Sequence, residues 1–109
     1  MSVKSNGEAA VLAASSGRGY RCVGIPGLIA FNKELDARQA WIDIVETFEI
    51  ADGLEIPRID LSIYGDHGAY DLPATERRES AAARLAEMLA AVGNESADFC
   101  FTVWLDRDG

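Results

Sequence analysis

The stretch that most constrains what this chain can fold into is residues 35–52, LDARQAWIDIVETFEIAD. At helical spacing Ala37, Ala40, Trp41, Ile44, Val45, Phe48 and Ala51 share one stripe, with Asp36, Asp43, Glu46 and Glu49 opposite, and this predicts an amphipathic helix. A strand over residues 42–50 would turn Glu46 to the same side as Ile44 and Phe48, so the helix is the preferred reading. Burying Trp41, Ile44, Val45 and Phe48 contributes about 1.5–3 kcal/mol apiece, enough to anchor a small core. The carboxylates opposite are left to solvent or to a partner.

Around that segment the chain reads as a mixture of strands and one further helix. Residues 1–8 are polar and are expected to be poorly ordered, and residues 9–14, AAVLAA, read as an extra N-terminal strand although alanine is a poor strand former. Residues 15–19, SSGRG, form a loop; its glycines lack the spacing of a phosphate-binding loop. Residues 20–31 are rich in strand formers but are interrupted by Ile25, Pro26 and Gly27, the signature of a type II turn, so they read as two short strands or one bulged edge strand. Gly53 is expected to stop the helix in a left-handed conformation.

Further on, residues 58–64 alternate, Ile59, Leu61 and Ile63 against Arg58, Asp60, Ser62 and Tyr64, as a strand with one buried face does. A turn at residues 65–68 and a short return strand at 69–72 lead to a helix over residues 73–92, with Asp71 as its N-cap and Ala81, Leu85, Met88, Leu89 and Val92 as its apolar stripe. The last strand alternates cleanly: Phe99, Phe101, Val103 and Leu105 one way, Cys100, Thr102 and Trp104 the other. The expected fold is α+β: a mostly antiparallel sheet of four to five strands with two helices packed on one face, split β-α-β-like, plus the N-terminal strand.

With 109 residues the chain is expected to form a single domain over residues 1–109. No stretch approaches the roughly 20 apolar residues of a membrane helix, and the N-terminus lacks the pattern of a signal peptide, which predicts a cytoplasmic protein. Cys22 and Cys100 lie far apart with no CxxC spacing and read as reduced thiols. The formal net charge of −8 is uneven: residues 1–33 carry +3, residues 34–60 carry −6 and the remainder −5. Such a chain repels nucleic acid and anionic membrane and favours basic proteins, and Arg18 with Arg21 alone makes no basic stripe.

Catalytic signals are sparse. The single histidine, His67, stands beside Asp66 with Asp71 close behind, a set that could serve as a general base or a metal site, although Asp-His-Gly is also ordinary turn chemistry. Neither GxSxG nor HExxH occurs, and Cys100 sits mid-strand, away from the settings that activate a thiol. Glu76, Glu79 and Glu87 alternate with Arg77, Arg78 and Arg84 and read as a salt-bridged solvent face. No cofactor or metal is called for.

The function expected from these residues is therefore binding rather than catalysis. Asp36, Asp43, Glu46 and Glu49, with Ile42 and Ile50 among them, would form an interface with a polar rim for a protein partner with a basic surface. If that surface normally holds nucleic acid, the protein would act as an inhibitor that competes with nucleic acid, in the manner of small acidic phage antagonists of nucleases and bacterial defence complexes, an analogy of size and charge alone. The alternative is a small enzyme or metal-binding domain using Asp66, His67 and Asp71. On the sheet face the helices leave bare, Tyr64, Cys100 and Trp104 would serve a homodimer.

Overall fold

The computed structural model describes residues 13–65 and 71–106. At its centre β2 (Ile42–Ala51) and β4 (Asp98–Leu105) run antiparallel side by side; β1 (Tyr20–Val23) flanks β4 and β3 (Leu54–Pro57) flanks β2. The order is β1-β4-β2-β3, every neighbouring pair antiparallel. Helix α1 (Gly24–Ala37) joins β1 to β2 across β4, and α2 (Ala74–Gly93) joins β3 to β4 across β2. Each helix therefore closes a split β-α-β unit, and the two units interlock.

One face of the sheet holds the core. Cys22, Val45, Phe99, Phe101 and Val103 meet Leu28, Phe31 and Leu35 of α1 and Leu85, Met88 and Val92 of α2 in a single cluster. Alternation in β4 and helical spacing in α2 produce these stripes as the sequence indicates. Ala81, Leu85, Met88 and Val92 are all buried, and Leu89 packs against the cluster. The N-cap of α2 is Pro73, not Asp71, and no side chain caps it.

The helix expected over residues 35–52 does not form. Instead α1 begins at Gly24, takes Pro26 in its first turn where a missing N–H costs nothing, and ends at Ala37. Gln39 adopts φ 60, and the N–H groups of Ala40 and Gln39 donate to the carbonyls of Leu35 (2.9 Å) and Asp36 (3.1 Å), a Schellman-type stop. Residues 20–31 are thus one short strand followed by helix, not two strands around a type II turn. The chain then enters β2, rich in β-branched residues.

The objection to a strand was Glu46. Glu46 does share a face with Ile44, Phe48 and Ile50, opposite Val45 and Thr47, but that is the face no helix covers, so its carboxylate stays half exposed. Asp52 (φ 51) and Gly53 (φ 77) then form the two-residue turn between paired Ala51 and Leu54. Positive φ at both positions is the type I′ hairpin geometry that Asp-Gly favours, so Gly53 turns a hairpin and caps no helix.

Two smaller expectations also change. Residues 58–64 are not a regular strand: Ile59–Leu61 is a 3-10 turn, Leu61 is buried, Ile59 is 72% exposed, and only Ile63 bridges to Val45. Thr47 holds this segment, its Oγ1 donating to the Leu61 carbonyl at 2.7 Å and its N–H to Ser62 Oγ at 3.0 Å. Residues 1–12 lie outside the described residues, as do Ala69 and Tyr70; Ala13 and Ala14, at the end of the expected N-terminal strand, are helical, and Ala14 is buried in the core.

Phe101 is fully buried between both helices and the sheet. Phe101→Ala is expected to lower the stability measured by urea denaturation by about 3–5 kcal/mol, whereas Glu46→Gln on the bare face should change it by less than about 0.5 kcal/mol. Equal costs would contradict this assignment of faces.

Candidate functional site

Two surfaces stand out from the residues upward. The first is the sheet face opposite the helices. Register places Arg21 and Val23 of β1, Cys100, Thr102 and Trp104 of β4, and Ile44, Glu46, Phe48 and Ile50 of β2 on it. Val23 is 68% exposed and Ile44, Phe48, Ile50 and Trp104 are half-buried. At one end the Trp104 indole lies over Gly19, and its Nε1 donates to the Gly17 carbonyl at 3.3 Å.

Near the middle Arg21 and Glu55, from the two edge strands, form an ion pair that spans β4 and β2. Cys100 lies beneath it, fully buried, with Sγ donating to Glu55 Oε1 at 3.0 Å. That strap explains a buried thiol on an otherwise open face. Burial first, then the neighbouring Glu55 carboxylate, pushes the Cys100 thiol up to about 11. The Cys100 hydrogen bond and then the Arg21 guanidinium hold Glu55 below its usual value. Burial alone raises Cys22 to about 11 as well. Both thiols are free and stay protonated at neutral pH, and because they lie on opposite sheet faces they cannot bridge.

The second surface is electrostatic. Arg58 is gripped by Asp60 through two hydrogen bonds (3.0 and 2.9 Å) and by Glu95 (3.0 Å) and Glu49 (2.6 Å). Those carboxylates hold the guanidinium above its ordinary value, Asp60 foremost, and Asp60 is lowered in return. Arg38 pairs with Glu34 at 3.0 Å, Arg78 with Asp36, and buried Arg77 lies 3.8 Å from buried Asp106. The arginines of α2 are therefore not a mixed solvent face: Arg77 is 6% exposed, Arg78 reaches to α1, and Arg84 is half-buried. Glu76, Glu79 and Glu87 are left exposed on the outer side of α2.

The residues expected to form one acidic interface are dispersed. Asp36 ends α1 against Arg78; Glu49 faces Arg58; Asp43 and Ile42 are buried at a β-bulge; Glu46 and Ile50 lie on the bare sheet face. A helix would have gathered them, but a strand sends alternate residues to opposite sides. Of the expected dimer residues, Cys100 and Trp104 share the bare face, while Tyr64 is 53% exposed beside it, lining a cleft with Glu46, Phe48, Pro57 and Ile59. Asp66 and His67 lie outside the described residues, and Asp71 is exposed. Among the described residues no three His, Cys, Asp or Glu side chains converge to hold a metal ion.

A larger cleft of about 370 Å³ lies between the 3-10 turn and α2, lined by Asp60, Ser62, Tyr64, Arg84, Glu87 and Met88. Asp60 is tied to Arg58, which holds its carboxyl below the ordinary value. The sequence reading missed the Arg21–Glu55 strap and the inward arginines of α2. For the latter a signal existed: Arg77 falls four residues before Ala81 on the stripe of Leu85, Met88 and Val92.

The class these elements define is an α+β domain of two interlocked split β-α-β units, one sheet face covered and the other open. No protein-family model matches the chain, and comparison with curated proteins and with solved structures finds no match.

A Cβ at Gly19 would stand 2.7 Å from Trp104 Cε2, in a backbone with φ +70. Gly19→Ala should displace the indole, changing the near-ultraviolet circular dichroism, and cost more than about 1 kcal/mol. The strap sets a second expectation. A lowered carboxyl contributes above its unfolded value, 4.5 for Glu55, and the contribution is lost as pH falls through the lower folded value. In a Cys22→Ala background, Cys100 should therefore resist 4,4′-dithiodipyridine at pH 5, and Glu55→Gln should speed its reaction; equal rates would show that the strap does not guard the thiol.

Proposed function

We propose that this protein is a non-enzymatic acidic binding module for a protein partner with a basic surface. The observation that carries the reading is the way the chain spends its own cations. Arg21, Arg38, Arg58, Arg77 and Arg78 are each turned onto internal carboxylates. Asp52, Asp71, Glu76, Glu79, Glu87 and Asp98 stay exposed with no partner among the described residues. Against these acids only Arg18, Lys33 and Arg84 remain unpaired among the described cations, so the field reaching solvent is negative and steers basic surfaces toward the domain.

The outer side of α2 is the best docking surface for such a partner. Glu76, Glu79 and Glu87 stand on a rigid helix with exposed Ala82, Ala83, Ala86 and Ala90, which let a partner approach closely. A partner surface that ordinarily holds nucleic acid would be blocked by this contact, making the protein an inhibitor of a nuclease or defence complex. A cytoplasmic address belongs to the same proposal. No helix among the described residues is long and apolar enough to cross a membrane.

The test is affinity capture from a bacterial extract at about 0.1 M and about 1 M salt. Wild type should retain a basic protein at the lower salt only, and that protein should bind duplex DNA less well once captured. Combining Glu76→Lys, Glu79→Lys and Glu87→Lys should abolish capture with the circular dichroism spectrum unchanged. Capture indifferent to these reversals, or a captured partner that binds DNA as before, would sink the reading.

A further inference from the structure

The cleft between the 3-10 turn and α2 holds a cation that the chain leaves unanswered. Arg84, half-buried on α2, lines this cleft and makes no ion pair among the described residues. Its Nε is shielded from water and has no acceptor. Buried donors in folded proteins are satisfied almost without exception, so one left over on the wall of a cleft points to a partner from outside the chain. Arg21, Arg38, Arg58, Arg77 and Arg78 each have a carboxylate of the chain itself, which Arg84 lacks.

Most other polar groups of the cleft are already committed. Asp60 is held by Arg58 through two hydrogen bonds, which offsets its charge. The Ser62 hydroxyl donates to the Arg58 carbonyl at 2.8 Å and accepts from the Thr47 N–H at 3.0 Å. Glu87 is different. It follows Arg84 by three residues on the same helix, a spacing at which Cβ atoms stand about 5–6 Å apart. Yet the two form no ion pair with each other, and Glu87 is exposed with no partner among the described residues. One cation and one anion therefore stand side by side in the cleft, each open to a different group. Leu61, Ile63, Met88 and Ala91 supply apolar lining, and the exposed ring of Tyr64 stands at the same cleft.

We propose that this cleft binds a free α-amino acid with an apolar side chain. The ligand carboxylate lies on the Arg84 guanidinium, whose planar donors match it, and the ligand ammonium lies on the Glu87 carboxylate. An α-amino acid carries both charges on one carbon, as two neighbouring positions of one helix require. Met88 and Tyr64 are favourable neighbours for an aromatic ring. The volume of about 370 Å³ is at the small end of the range for small-molecule sites, about 300–1,000 Å³. A dianion such as phosphate is disfavoured, because one guanidinium offsets one charge and Glu87 stands beside it. A ligand with only a carboxylate leaves Glu87 unanswered, and one with only an ammonium leaves Arg84.

This site goes beyond the docking of a basic protein. It shares only Glu87 with that surface and depends on Arg84, which docking does not use, so the two readings fail separately.

Isothermal titration calorimetry of the full chain with L-phenylalanine at neutral pH and low salt tests the inference. Binding is expected with a Kd of about 1 mM or below. 3-Phenylpropionate, which lacks the ammonium, and 2-phenylethylamine, which lacks the carboxylate, should each bind about tenfold more weakly or worse, and inorganic phosphate should give no saturable heat. Arg84→Met keeps the apolar stem and Glu87→Gln keeps the shape; each should weaken L-phenylalanine binding about tenfold. Glu87 is exposed, so Glu87→Gln remains informative if Arg84→Met folds poorly. No heat from L-phenylalanine up to about 10 mM, equal affinity for either single-charge analogue or for phosphate, or binding indifferent to these variants would overturn the proposal.

Discussion

The structure depends on the antiparallel pairing of β2 with β4. Val45 faces Val103, Thr47 faces Phe101 and Glu49 faces Phe99 on the helix side, while Ile44, Glu46 and Phe48 face Trp104, Thr102 and Cys100 on the other. Each helix crosses one of these two strands to close its unit, so both cover the same side. A four-strand sheet covered on one side has a dry face and a wet one, and the alternation of a strand assigns residues to them. Thr47 is buried with its hydroxyl on the Leu61 carbonyl; Glu46, one residue away, remains in contact with water.

The bare face is not simply polar. It has an apolar centre, a tryptophan laid over a glycine turn, and a thiol shielded by an ion pair that reaches across two strands. The same asymmetry governs charge. Five arginines satisfy carboxylates of the chain itself, partly to pin segments together: Arg58 ties β2 to the 3-10 turn and to the residues after α2, and Arg78 ties α2 to α1. Exposed pairs of this kind contribute little stability apiece. Their larger consequence is that few cations remain to balance the acids left exposed, which is the basis of the binding proposal.

Much of this is legible in the residues. β4 has the bounds and both faces that its alternation indicates, because strict alternation over eight residues admits one interpretation. The stripe of α2 is equally plain, and the α+β class with two helices on a mostly antiparallel sheet follows. The segment over residues 35–52 misleads because Trp41, Ile44, Val45 and Phe48 suit a helix stripe and also suit a central strand with apolar atoms on both faces. Asp52-Gly53 could have decided the matter as a hairpin signal. The acidic site falls with that helix, since only helical spacing would put Asp36, Asp43, Glu46 and Glu49 on one side.

The sequence by itself determined the elements whose period is unambiguous, the reduced state expected of two distant cysteines, and a strong excess of negative charge. These are properties of short windows or of sums over the chain. Beyond the local hint of Asp52-Gly53, the tertiary structure decided that residues 42–51 extend, because most of this central strand's hydrogen bonds are made with β4, far along the chain. It alone decided which arginines are used up, because Arg21 with Glu55 and Arg78 with Asp36 are ion pairs across long stretches of chain. Local spacing carries no record of partners that folding brings together from afar.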